Sequence, residues 1–103
     1  MEGPNTVKFE ITEGIELSLD NIVCLSGKLK YYPEFDGNYA ICTEEKTAKF
    51  VVNSEIYKML SYIAKKDKVS LINLSGTKKV FYSEKFQHII KILITKKYLN
   101  RIA

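Results

Sequence analysis

Histidine is nearly missing from this chain of 103 residues: His88 stands alone, so no histidine-based metal set can be assembled within one chain. Cysteine is almost as scarce. Cys24 and Cys42 are far apart and belong to no CxxC or Cys/His cluster. In a reducing compartment they read as two partly buried thiols that pack as small hydrophobes, ahead of a disulfide or a metal site. GxGxxG, the P-loop, GxSxG and HExxH are all missing. The adjacent carboxylates Glu44 and Glu45 fall in an expected hairpin turn, where solvation explains them better than acid/base work. Ser75-Gly76-Thr77-Lys78-Lys79 lacks the upstream glycine and following helix of a phosphate-binding loop. No catalytic, metal or cofactor site is therefore expected, and the chain is not read as an enzyme. No apolar run approaches the roughly 18 residues of a membrane span. The opening MEGPNTVKFE lacks the basic and apolar regions of a signal peptide. A cytoplasmic location without membrane contact is the expectation.

What is present is an ordinary globular composition, 46% hydrophobic and 27% charged, at the size of one domain (residues 1–103). The net charge of +4 hides a division. Residues 1–45 hold nine acids and three bases, a net of −6, whereas residues 46–103 hold three acids and thirteen bases, a net of +10. Such asymmetry suits an anionic partner, either nucleic acid or an acidic peptide, although lysine-coated helices also arise for solubility alone.

The hydrophobic pattern changes period along the chain. Val7, Phe9 and Ile11, then Ile15, Leu17 and Leu19, alternate around Thr12-Glu13-Gly14, which predicts an N-terminal hairpin over residues 1–22. NIVCLSGKLKYYPEF predicts a strand broken near Ser26-Gly27, with Pro33 limiting the strand after it to an edge or an end. A hairpin comes next: Asp36-Gly37 opens a strand from Tyr39 to Cys42, Thr43-Glu44-Glu45 turns, and Thr47 to Val52 returns. Asn53 then caps a helix, with Glu55 suiting its positive end and Val52 and Tyr57 at the positions of a hydrophobic staple. Ile56, Leu60 and Ile63 share its apolar face, with Met59 beside them. KVSLINLSGTKKVFY reads either as a short helix from Val69 to Leu74, the preferred reading, or as two short strands turning at Ser75-Gly76. Ser83 caps a last helix, EKFQHIIKILITKKYL, whose stripe of Phe86, Ile89, Ile90 and Leu93 should face the core. Strands first and about three helices afterwards make an α+β fold, helices packed on one face of an antiparallel sheet.

The span from about Gly27 to Ile102 resembles the PqqD-like leader-binding domains, or RiPP recognition elements. The likeness runs through KLKYYPEF, the turn at Asp36-Gly37, KTAKFVVN with its retained Asn53, the helix SEIYKMLSYIAKK, and the ending KKYLNRI. Features that depart from the family are the extra residues 1–22, a poorly marked second helix, and Tyr98-Leu99 in place of a glycine-containing ending. The resemblance implies a winged-helix-like core of three strands and three helices, which binds the leader of a ribosomally made precursor peptide and presents it to a separate modifying enzyme, such as a radical enzyme, a protease or a cyclase. In the family the leader adds as an extra strand and drops its side chains against the last helix. Carried over, the receiving edge is Thr47, Ala48, Lys49, Phe50, Val51 and Val52. The facing wall is Lys85, His88, Ile89, Ile92 and Lys96, a lysine-rich surface for an acidic leader.

Two other readings compete. A winged-helix DNA-binding protein would use the basic helical half on phosphates, yet the last helix offers only Gln87 and His88 for base contacts, with no arginine before Arg101. A structural subunit of a larger complex could use the N-terminal hairpin as its contact.

Overall fold

The break expected at Ser26-Gly27 separates two strands that join different sheets. A computed structural model of the chain describes residues 14–103. Within them β1 (Ile22–Leu25) and β2 (Leu29–Pro33) flank the bend. The bend is held by the Ser26 and Thr43 hydroxyls, 2.7 Å apart. Gly27 suits the close approach there, because a Cβ would stand 3.2 Å from the backbone nitrogen of Glu44 and push the turn back by a few tenths of an ångström. From β2 the chain makes a tight turn and forms β3 (Tyr39–Thr43) and β4 (Phe50–Val52). These three strands form an antiparallel sheet in the order β2-β3-β4. Pro33 fits as expected. It ends an edge strand, opposite Tyr39. The Glu34 amide bonds the Asn38 carbonyl at 2.9 Å, so alternation puts Pro33 at a pair that exchanges no hydrogen bonds and its missing N–H costs nothing.

The helical half comprises α1 (Ser54–Lys66), β5 (Val69–Ser70), α2 (Leu71–Ser75), α3 (Lys78–Phe81), α4 (Glu84–Thr95) and β6 (Leu99–Arg101). Asn53 caps α1, its side chain accepting from the Ile56 amide at 2.9 Å, and Ser83 caps α4 through the Phe86 amide at 3.2 Å. Leu60 and Ile63 of α1, with Ile90 and Leu93 of α4, are fully or almost fully buried against Val23 and Ile41 of the two sheets. Each such side chain contributes about 1.5–3 kcal/mol relative to exposure. Ile56, Met59 and Ile89 sit at the margin, half-buried.

The fold class is α+β, as expected, with several differences in detail. A second antiparallel sheet, ordered β5-β1-β6, returns the chain end to β1. The segment read as one helix from Val69 to Leu74 begins as a two-residue strand, and α2 starts at Leu71, where the Ser70 hydroxyl accepts from the Asn73 amide. Two short helices replace one. The first arm of the N-terminal hairpin lies outside the described residues. The second arm, Ile15 to Leu19, is not a strand. Its carbonyls are used elsewhere: Leu19 accepts from the Ile72 amide at 3.1 Å, and Glu16 accepts from the Arg101 guanidinium. Leu17 and Leu19 nevertheless pack on the core. Tyr57 stacks on Tyr39, the cross-strand partner of Val52, with ring centroids 4.0 Å apart, so an aromatic pair docks α1 on the sheet.

The last helix stops four residues short of the predicted Leu99. Lys97 takes φ 74°, a left-handed conformation. Its amide bonds the Ile94 carbonyl and the Tyr98 amide bonds the Leu93 carbonyl, both at 3.0 Å. Those two bonds define a Schellman stop, completed by the buried pair Tyr98 and Leu93. The chain then turns into β6.

Candidate functional site

Strand β4 has a neighbour on one side, β3, and an open edge on the other among the described residues. Its register pairs Tyr39 with Val52, Ala40 with Val51 and Ile41 with Phe50. The Thr43 amide donates to the Lys46 carbonyl at 2.9 Å, so by alternation Ile41 and Tyr39 also aim their amides at β4. Phe50 and Val52 therefore bond inward, and Val51 directs its N–H and C=O to the open side. The side chains alternate too. Val52 is buried and Phe50 half-buried toward the core, whereas Val51 is 57% exposed on the outer face.

The strand is shorter than the sequence suggests. Thr47, Ala48 and Lys49 are exposed irregular backbone. Around them the Tyr98 hydroxyl donates to the Ala48 carbonyl, and the Lys49 ammonium lies 4.2 Å from the centroid of the Tyr32 ring. The receiving edge is thus Phe50 to Val52, with Val51 alone of the three presenting both backbone groups outward.

Helix α4 reaches this strand only at its C-terminal end. At one end Lys85 is ion-paired with Glu55 in the first turn of α1, at 3.0 Å. At the other, the Lys96 ammonium stands 5.3 Å from the Phe50 ring centroid. Lys85, Ile89, Ile92 and Lys96 follow helical spacing along one face. Lys85 and Ile89 line an open groove of about 520 Å³ between α4, α1 and the α2–α3 region. Ile92 is half-buried and His88 exposed. Lys96 is therefore joined to β4, while Lys85 and Ile89 border α1 beyond the end of the strand. The Glu55–Lys85 pair is about two-thirds exposed on each side, so it is worth about 0–1 kcal/mol and yields easily to a ligand carboxylate.

Two functional residues were hidden in the sequence. Glu55 reads only as a helix-dipole partner, and its pairing with Lys85 depends on tertiary packing. Tyr98 reads as part of a helix, yet it stacks on Phe50 at 5.6 Å and holds the approach to β4 through Ala48. Its signal is faint: a tyrosine just past two lysines at a helix end. Cys42 is buried in β3 and Cys24 half-buried in β1, both as free thiols. No helix among the described residues is long and apolar enough to cross a membrane. No family model, curated protein or solved structure matches the chain.

Proposed function

We propose that this protein is a PqqD-like, winged-helix-like leader-binding domain. It captures the leader of a ribosomally made precursor by strand addition at β4 and presents it, in the cytoplasm, to a separate modifying enzyme without turning anything over itself. The observation that supports this most strongly is the edge of β4, which no strand among the described residues pairs, with the Val51 N–H and C=O aimed outward and the Lys96 ammonium near the adjoining Phe50 ring. A peptide strand there would gain sequence-tolerant backbone bonds from Val51. Its acids would meet Lys96, and only a peptide that continues past the end of the strand would reach Ile89 and Lys85 beside α1. The Asn53 cap fixes the junction between β4 and α1, so strand and helix stand ready before the peptide arrives.

Proline substitution tests the edge. A fluorescence-polarisation titration with a cognate precursor peptide should give a Kd in the micromolar range or tighter, about −8 kcal/mol or better. Val51→Pro removes an outward N–H and should stay folded while binding at least about tenfold more weakly. Phe50→Pro removes an inward N–H and should disrupt the sheet, seen by circular dichroism. Unchanged binding by a folded Val51→Pro protein, or binding confined to the core half of the precursor, contradicts strand addition at this edge.

A further inference from the structure

The turn between β2 and β3 displays a large apolar side chain as fully as a surface permits. Phe35 is 88% exposed. Its display is fixed by backbone: Asp36 and Gly37 both hold positive φ (65° and 74°), and the Glu34 amide closes the turn on the Asn38 carbonyl at 2.9 Å. A non-glycine residue in that conformation carries strain, which the turn retains. Glu34 and Asp36 flank the ring, so the tip is an apolar knob with two negative charges. Across the molecule, the α1–α4 groove has the complementary chemistry. Ile56, Met59, Leu74, Val80 and Ile89 contribute apolar lining, and its charged residues are Lys58 and Lys85 against Glu55, two cations to one anion. At about 520 Å³ it lies within the range of about 300–1,000 Å³ typical of ligand-taking pockets.

We infer that the Phe35 tip of one molecule docks into the α1–α4 groove of a second copy. An exposed phenylalanine gains by burying about 150–250 Å² in an apolar site, and the acidic flanks meet the lysines at the groove's mouth. Tip and groove are different patches of the chain, so each docking is head-to-tail, and two copies can close it reciprocally or more can extend it. A docked tip would cover Lys85 and Ile89, so self-association and peptide capture would compete, but the docking itself does not depend on the peptide-capture reading.

Head-to-tail contacts have a distinctive complementation test. Sedimentation of the wild-type protein should show a weight-average mass rising with concentration up to about 1 mM, a range that detects even millimolar Kd values. Phe35→Ser and the double change Lys58→Glu with Val80→Glu, all at exposed positions, should each be monomeric. Mixed one to one they should form a heterodimer and nothing larger, because one partner keeps the groove and the other keeps the tip. Phe35→Tyr, which retains the ring, should still associate. For the wild type alone, amide shifts that depend on concentration should fall at the tip and along the groove. A wild type monomeric throughout, a Phe35→Ser protein that still associates, a mixture that stays monomeric, or shifts elsewhere on the surface would each overturn the inference.

Discussion

Tyr98 shows how much one residue can hold together. It is 2% exposed; its ring stacks on Phe50, its hydroxyl donates to the Ala48 carbonyl, and its amide closes the stop of α4. Burial pushes its phenol above the usual value of 10.0, with the nearby Cys42 thiol adding to the shift. A raised pKa means that the folded state keeps the proton longer than the unfolded one. The stabilisation is therefore complete below pH 10 and is lost as pH rises from there through the folded-state pKa. Tyr31 is raised as well, chiefly by its hydrogen bond to Tyr57, so it adds to the same alkaline loss. In urea denaturation, Tyr98→Phe should cost about 0.5–1.5 kcal/mol at pH 7 through the lost hydrogen bond. It should also lose less stability than the wild type between pH 9 and 11. Parallel pH profiles for the two proteins would show that the Tyr98 phenol is not protected from ionisation.

Among the elements, those defined by local chemistry were legible and those defined by distant partners were not. The caps at Asn53 and Ser83, the bend at Ser26-Gly27 and the end at Pro33 each follow from a residue's own donors, acceptors or ring. The apolar stripes of α1 and α4 follow from their period. Strand β6 could not be read, because it exists only through pairing with β1 more than seventy residues earlier. The engagement of the Ala48 carbonyl next to β4 was equally hidden, because the Tyr98 hydroxyl that donates to it comes from 50 residues away. The end of α4 was missed for a different reason: a lysine occupies the left-handed position where glycine usually marks a stop. That substitution has a measurable consequence. Lys97→Gly should stabilise the protein by about 0.5–1 kcal/mol, since glycine adopts this conformation without a Cβ penalty. Thermal melting checks this, and no gain or a loss would mean that the lysine side chain contributes more than the strain removes. At the candidate site, the sequence supplied the edge strand and the facing helix through a family resemblance, but not the separation of Lys85 from β4 or its pairing with Glu55.

At the scale of the molecule, the chain divides into a net charge of −6 over residues 1–45 and +10 over residues 46–103, while the candidate site is made largely of backbone and apolar side chains. Salt separates the partners this surface could serve. A ligand held by backbone bonds at β4 and one or two lysines should weaken by less than about tenfold between 50 and 200 mM salt, whereas six to ten phosphate contacts would lose about a thousandfold or more. A steep dependence would redirect attention from peptide to nucleic acid. The most direct test of the central claim is amide hydrogen exchange at Val51. Its N–H points away from β3 and is open to solvent in the free protein, so it should exchange quickly. Saturating leader peptide should slow it at least about tenfold through a new interstrand hydrogen bond, while Phe50 and Val52, already bonded inward, should change far less. Bound peptide that leaves the Val51 amide exchanging at its free rate would contradict strand addition at β4.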